Sequence, residues 1–365
     1  MSDETPAAVG ERAAAAAAFT TYPDLACRAF GGSVVSASDE LFAERENLIK
    51  PGAPRFDVSE FGHKGKVYDG WETRRRRDEG HDYAIVRLGA PGIVKGVVVD
   101  TSWFTGNCPP YISVEAAAVE GYPCVDELPG AKWETLVAKT PAAGDDANTY
   151  PVGDDRCWTH VRLSIYPDGG VARFRVHGEV LPDPRFMAGT VDLVAAENGG
   201  RVVDCSNAFY ASPANIIMPG RARHMGEGWE NARRRGDGND LAVFSLAALG
   251  TVRHVEVDTT YFVGNAPGWV RLSTIDARGA DLAAAAARTD LADPSLWADL
   301  VPKTRVQPDT RHRFVIDGAA PGTHVRLDVY PDGGLSRLRL WGELTADALA
   351  NLQRRWINAR PRSIG

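Results

Sequence analysis

Residues 70–107 and 228–265 are two versions of one passage. The first reads GWETRRRRDEGHDYAIVRLGAPGIVKGVVVDTSWFTGN. The second, 158 residues later and without a gap, reads GWENARRRGDGNDLAVFSLAALGTVRHVEVDTTYFVGN. A second pair, HVRLSIYPDGGVARFRVHGEV at 160–180 and HVRLDVYPDGGLSRLRLWGEL at 324–344, lies 164 residues apart. A weaker pair lies upstream, VVSASDELFAERENLIKPG against VVDCSNAFYASPANIIMPG. A period this long is the size of a domain, several times that of a solenoid repeat. The chain of 365 residues therefore holds two copies of one domain. Prolines and a glycine in LPDPRFMAGT break any element between them. The expected layout is a tail over 1–21, a first repeat over 22–185, a second over 186–345 and a helix or tail over 346–365.

Within each copy the hydrophobic period is two. Val255 and Val257 share a face opposite Glu256 and Asp258, and Val97 and Val99 oppose Asp100. That is the pattern of a half-buried strand. Val161, Leu163 and Ile165 alternate, Pro-Asp-Gly-Gly follows, and Phe174 and Val176 alternate with Arg173 and Arg175. This reads as a hairpin, with Arg173, Arg175, Arg337 and Arg339 on a solvated outer face and His160 and His324 at the surface. Many short strands separated by Gly/Pro turns indicate an all-β sandwich in two copies with few helices. One helix is expected over TADALANLQRRWIN, capped by Thr345, and another over the alanine-rich residues 281–300.

Charge narrows the function. The net charge is −7, which disfavours a binder of nucleic-acid backbone. No apolar run reaches the roughly 18 residues of a membrane span. The five cysteines form no CxxC pair, as suits reduced thiols in a cytosol. The N-terminus is acidic, then alanine-rich, unlike a secretory leader. A cytoplasmic protein with no membrane or nucleic-acid partner is expected.

The local exception is the arginine run after Trp71. Exposed arginines ordinarily form solvated ion-pair networks of little energetic weight. One turned into a cleft would grip a carboxylate through two parallel hydrogen bonds. Arg75, Arg76 and Arg77 recur in the second copy, whereas Arg74 becomes Ala232. His81-Asp82 becomes Asn239-Asp240. A histidine beside a carboxylate and arginines is suited to moving protons near neutral pH. The candidate catalytic groups are Glu72, His81 and Asp82. The candidate binding groups are Arg75, Arg76, Arg77, Asp100 and Asn107, with Glu230, Arg234, Asp240, Asp258 and Asn265 in the second copy. Gly-Asn in FTGN and FVGN is also ordinary turn chemistry. No HxH, HExxH or paired-cysteine spacing suggests a metal site, and no phosphate loop or GxSxG elbow appears.

Taken together, DGWETRRRR, GHDYAIVRLG, VDTSWFTGN, the second GWENARRR with VDTTYFVGNAP, and the twin YPDGG segments resemble the allantoicase family (allantoate amidinohydrolases). The resemblance runs from about Tyr22 to Glu343, with Asn231 where the family usually carries Thr. It implies a duplicated jelly roll of the galactose-binding-like type, hydrolysis of allantoate to ureidoglycolate and urea, and a homo-oligomer. No cofactor is expected, and a divalent metal is left open. The resemblance brings no catalytic set, so roles follow from chemistry. An arginine among 75–77 would hold the substrate carboxylate. His81, Glu72 and Asp82 would divide the acid and base roles, and Asn107 and Asp100 would bind the urea moiety. The rival reading is a tandem module binding carbohydrate or a small anion, with Trp71, Trp103, Trp229 and Trp269 as aromatic platforms. A second enzymatic reading is urea release from ureidoglycolate.

Overall fold

Each copy is organised around one strand of nineteen residues, Asp82–Asp100 in the first and Asp240–Asp258 in the second. The computed structural model describes residues 18–62, 65–278 and 296–361. It divides into one unit running to Leu181, which also takes in the chain from Ile357, and a second unit, Pro182–Trp356.

In the first unit the leading half of the long strand pairs with Ser33–Ala37 on one side and Cys157–Tyr166 on the other. Tyr111–Ala117 follows, then Glu134–Pro141. The trailing half pairs with Arg173–Val180 and Ala147–Pro151. A five-strand layer and a three-strand layer thus share one strand, all antiparallel, as a jelly-roll sandwich requires. The register breaks between Arg87 and Gly92, where the strand passes from one layer to the other. In the second unit the same layers are built on Asp240–Asp258, with the break between Ser245 and Gly250 and with Val191–Asp192 added to the small layer beside Arg337–Leu344.

The core is aromatic at its centre. Trp71, Trp158, Phe30, Phe104 and Phe174 in the first unit, and Trp229, Phe244 and Phe262 in the second, are almost wholly buried. Each such ring removes roughly 150–250 Å² from water, worth on the order of 4–6 kcal/mol at the usual area coefficient. Trp71 and Trp229 are 0% exposed, so neither serves as a ligand platform. The indole N–H of Trp71 donates to the Asp39 carbonyl at 2.7 Å, and that of Trp229 to the Asn207 carbonyl at 2.8 Å. These bonds moor the start of both arginine runs.

The expected YPDGG hairpin is not one. Cys157–Tyr166 and Arg173–Val180 both pair with the long strand and, among the described residues, not with each other. The segment between them crosses from one layer to the other, and Gly170–Val171 pairs with Trp71–Glu72 on the way. A Cβ on Gly170 would stand 2.1 Å from the Phe104 ring, so only glycine passes there. Two-residue periodicity sets which face a side chain takes, and says nothing of the partner strand.

Two further expectations are corrected by burial. Arg173 is 2% and Arg337 5% exposed. Their guanidiniums tie down loops packed over the small layer, through the carbonyls of Asp69 and of Gly220 and Glu227. His160 and His324 are also buried, each with its Nδ1 2.9 Å from the neighbouring threonine hydroxyl. The C-terminal helix spans Ala346–Ala359, and Thr345 Oγ1 accepts the Ala348 N–H at 3.3 Å, as a capping threonine should. Of the helix expected over 281–300, residues 281–295 lie outside the described residues, and Ala298–Leu300 begin the strand Ala298–Arg305.

Candidate active site

Four adjacent guanidiniums repel one another, and carboxylates both near and distant in sequence separate them. Arg74 turns to Asp39, with its Nε 2.6 Å from Oδ2 and its N–H 2.8 Å from Oδ1. The Arg76 N–H donates to Asp168 Oδ2 at 2.7 Å, which pins the run to the YPDGG segment. The Arg76 side chain then reaches Asp82 at 3.0 Å and Asp78 at 3.1 Å. Arg75 and Arg77 are exposed. Thr73 beneath them accepts the Gly169 N–H at 3.2 Å, and Asn231 accepts that of Gly333 at 2.8 Å in the second copy. The departure from Thr to Asn at 231 therefore preserves the contact.

Past Arg76 the chain turns through Gly80 and His81 into the long strand, and a cleft of about 710 Å³ opens over the five-strand layer. Tyr83, Ser113, Glu115, Arg162 and Tyr166 line it from three neighbouring strands, with Thr135 and Lys139 from a fourth. Alternation places Ser113 and Glu115 on one face, and Arg162 and Tyr166 on the matching face of the next strand. Arg162 grips Glu115 Oε2 through Nε at 2.8 Å and Nη2 at 2.6 Å. The Tyr166 hydroxyl lies 2.9 Å from that of Ser113. Lys139 Nζ sits 4.2 Å from the centre of the Tyr166 ring, and the His81 ring 4.6 Å from it.

Three cations, Arg76, Arg162 and Lys139, line the cleft with one carboxylate, Glu115, so the lining favours an anion, while Asp82 and Asp78 hold Arg76 from outside it. Burial lowers the His81 pKa, and the positive charges of Arg162 and Arg76 lower it further. The imidazole is therefore neutral at pH 7 and able to accept a proton.

Of the residues chosen from sequence, Arg76 and His81 line the cleft, and Asp82, outside the lining, holds Arg76 at 3.0 Å. Glu72 does not line the cleft: Asn107 Nδ2 donates to its Oε1 at 2.6 Å, and burial raises its carboxyl. Glu230 and Asn265 form the same pair at 2.7 Å in the second copy. Asp100 and Asp258 accept the N–H of Ser102 at 2.8 Å and of Thr260 at 2.9 Å, shaping the turns after the long strands. Sequence reasoning missed Ser113, Glu115, Lys139, Arg162 and Tyr166. A signal existed for two of them: Arg162 and Tyr166 lie in the duplicated HVRLSIYPDGG block.

The matching face of the second unit is paired internally. Arg234 holds Asp240 at 2.6 Å, and Asn239, in place of His81, donates to Asp328 at 2.9 Å. Arg326 turns to Asp328 at 2.8 Å, and Arg271 to Asp299 at 2.6 Å. Lys303 lies 4.0 Å from the Tyr330 ring centre, as Lys139 does over Tyr166. A separate hollow of about 250 Å³ lies beside Ala232 and Asn207, where the first copy has the Arg74–Asp39 pair.

A duplicated jelly roll whose first copy carries a cationic cleft with a neutral imidazole defines a class: an enzyme or receptor for a small anion. The allantoicase repeat model matches residues 23–181 and 191–345. The chain is 52% identical over 330 residues to the probable allantoicase of Nocardia farcinica, covering 89% of this chain and 95% of that one. It is 49% identical over 351 residues to the probable allantoicase of Streptomyces coelicolor, covering 92% and 89%. The crystal structure of allantoicase from Saccharomyces cerevisiae superposes with a TM-score of 0.74 at 32% identity, covering 93% of this chain and 98% of that one. The chain belongs to the allantoicase family.

Proposed function

We propose that this protein hydrolyses allantoate to ureidoglycolate and urea in purine degradation, and that the first-repeat cleft is where it does so. The family supports the reaction. The observation that carries the site is the imidazole of His81, tilted at 34° against the Tyr166 ring in a cleft of net positive charge, where the second copy has Asn239.

Allantoate bears one carboxylate and two ureido groups on a single carbon. Lys139 and Arg162, the latter presented by Glu115, hold the carboxylate. The bond to break joins the central carbon to one ureido nitrogen. The other ureido nitrogen pushes its lone pair toward that carbon as urea departs. The departing nitrogen takes a proton from the Tyr166 hydroxyl, which Ser113 orients. Neutral His81 takes a proton from the water that adds to the carbon, and that proton returns to Tyr166 through solvent. One water is consumed, and ureidoglycolate and urea leave. General acid–base help of this kind is worth roughly 10²–10⁴-fold per group. Arg76, paired with Asp82, shapes the wall.

Urea release from allantoate by wild type, His81→Ala, Tyr166→Phe and Glu72→Gln tests this. The first two variants should lose most of kcat, and Glu72→Gln should keep most of it. Full activity in His81→Ala moves the reaction elsewhere. Comparing rates on allantoate and ureidoglycolate excludes or supports the alternative substrate. We also infer a cytoplasmic homo-oligomer. Cys27, Cys108, Cys124 and Cys205 are free thiols, which suits a reducing compartment, and a monomer in sedimentation velocity would overturn the assembly.

A further inference from the structure

The small layer of the second unit carries a buried arginine with no carboxylate hydrogen-bonded to it among the described residues. Arg337 donates through Nε to the Gly220 carbonyl at 3.0 Å, and through Nη1 to the carbonyls of Glu227 and Ser336 at 2.7 Å. Among the described residues its Nη2 makes no hydrogen bond. In the first unit its counterpart Arg173 makes the same kind of carbonyl contacts, but its Nη2 also reaches Asp69 Oδ2 at 2.5 Å. The residue matching Asp69 is Glu227, whose carboxylate is turned away to Arg223, 2.7 Å from its Nε. Burial, and then the charge of Arg339, pull the Arg337 pKa down to about 10 although Glu227 and Asp258 oppose them, as expected for a desolvated cation with no carboxylate bonded to it.

Arg337 opens on a cavity of about 810 Å³. Arg221, Arg311, Arg313 and Arg339 stand in its walls beside Asp192, Glu197, Glu256 and Asp258. Glu256 is shared between Arg311 at 2.8 Å and Arg313 at 2.9 Å, and Asp192 lies 3.5 Å from Arg339. Burial raises the carboxyls of Asp192 and Glu197, which weakens the negative side of the balance. Five arginines therefore face at most four carboxylates. The matching face of the first unit is filled instead. Phe19 packs over Gly96, where any Cβ would be 2.5 Å from its ring, and lies 5.9 Å from the His177 ring. The second unit has His254 and Trp341 at those two positions, and both line the cavity.

We propose that this cavity is a second, non-catalytic anion site, taking a small oxyanion, a carboxylate or a phosphate, between Arg337 Nη2 and the arginines at its mouth. The bound group replaces the carboxylate that Asp69 supplies in the first copy. Bidentate capture by a planar guanidinium is the chemistry that suits it. This site does not depend on where allantoate is cleaved.

The test is calorimetric titration of the full-length protein with inorganic phosphate and, separately, with malonate. At least one should bind saturably, and the pair of titrations separates phosphate from carboxylate as the preferred group. Arg337→Met should weaken that binding at least tenfold. Arg313→Ala, at an exposed side chain where folding is not at stake, should weaken it about threefold. Lys139→Ala, in the first-repeat cleft, should leave it unchanged. Absence of saturable binding of both anions overturns the site. So does wild-type affinity in Arg313→Ala, whether or not Arg337→Met folds, or loss confined to Lys139→Ala.

Discussion

The two repeats keep one scaffold and treat its charges in opposite ways. On the five-strand face of the first, His81 and Lys139 stand around the Arg162–Glu115 pair beside an open cleft. On the same face of the second, Asn239, Arg326 and Arg271 are each matched to an aspartate of their own unit. A polar group already satisfied has little to gain from a ligand. On the small layer the relation reverses: Arg173 is paired with Asp69, and Arg337 has no carboxylate bonded to it among the described residues. The repeats thus differ in a few side chains while the strands stay in place.

That contrast can be broken, most sharply at His81. His81→Asn, which copies the second repeat, should lower kcat by roughly 10²–10⁴-fold, whereas Asn239→Ala should stay within about twofold, measured as urea release. Equal losses would mean that both repeats carry chemistry. Next in size, Lys139→Ala should raise KM by about 10-fold or more, the loss of roughly 1.4 kcal/mol or more from one charged contact. The matching Lys303→Ala should leave KM unchanged.

A property that the repeats share sharpens the comparison from the other side. Burial pulls the pKa of both His160 and His324 down to about 4. In the unfolded chain each titrates near an ordinary value of about 6.5. Between about pH 6.5 and 4 the unfolded state therefore binds more protons, so stability rises with pH and is lost as pH falls through that window. From pH 7 to pH 5 each histidine should contribute a loss of about 2 kcal/mol. Denaturant titrations of His160→Asn and His324→Asn at the two pH values should each flatten that slope similarly. The smallest effect concerns His81. Burial, then Arg162 and Arg76, disfavour its imidazolium, so the acid limb of kcat/KM should lie below the ordinary histidine value. In Arg162→Gln, removal of the cation and release of Glu115 both favour protonation, and the limb should move up. An unmoved limb would detach His81 from the reaction's proton inventory.

Much of the site was hidden by ordinary physics. His81 stood out because only one copy carries it. Arg76 could not be told from Arg75 or Arg77, since the choice depends on Asp82 and Asp168 lying within reach. Glu115 and Lys139 carry no local signature. They matter because register sets Glu115 opposite Arg162, and because the neighbouring strand carries Lys139 over Tyr166. Glu72 was a plausible acid from its neighbours in the chain, but its carboxylate is engaged by Asn107 in a pair that both copies keep.

The amino-acid order by itself determined the duplication, the β class, the family, and which side chains share a face along each strand, because these depend on repetition and on a two-residue period within short segments. Tertiary structure decided that the YPDGG segments cross between layers, that one arginine in four turns inward, and that buried guanidiniums lie between the small layer and the loops over it. Those outcomes depend on pairings and carboxylates brought in from positions 35 to 121 residues away in sequence, and a local pattern does not encode which distant group will arrive.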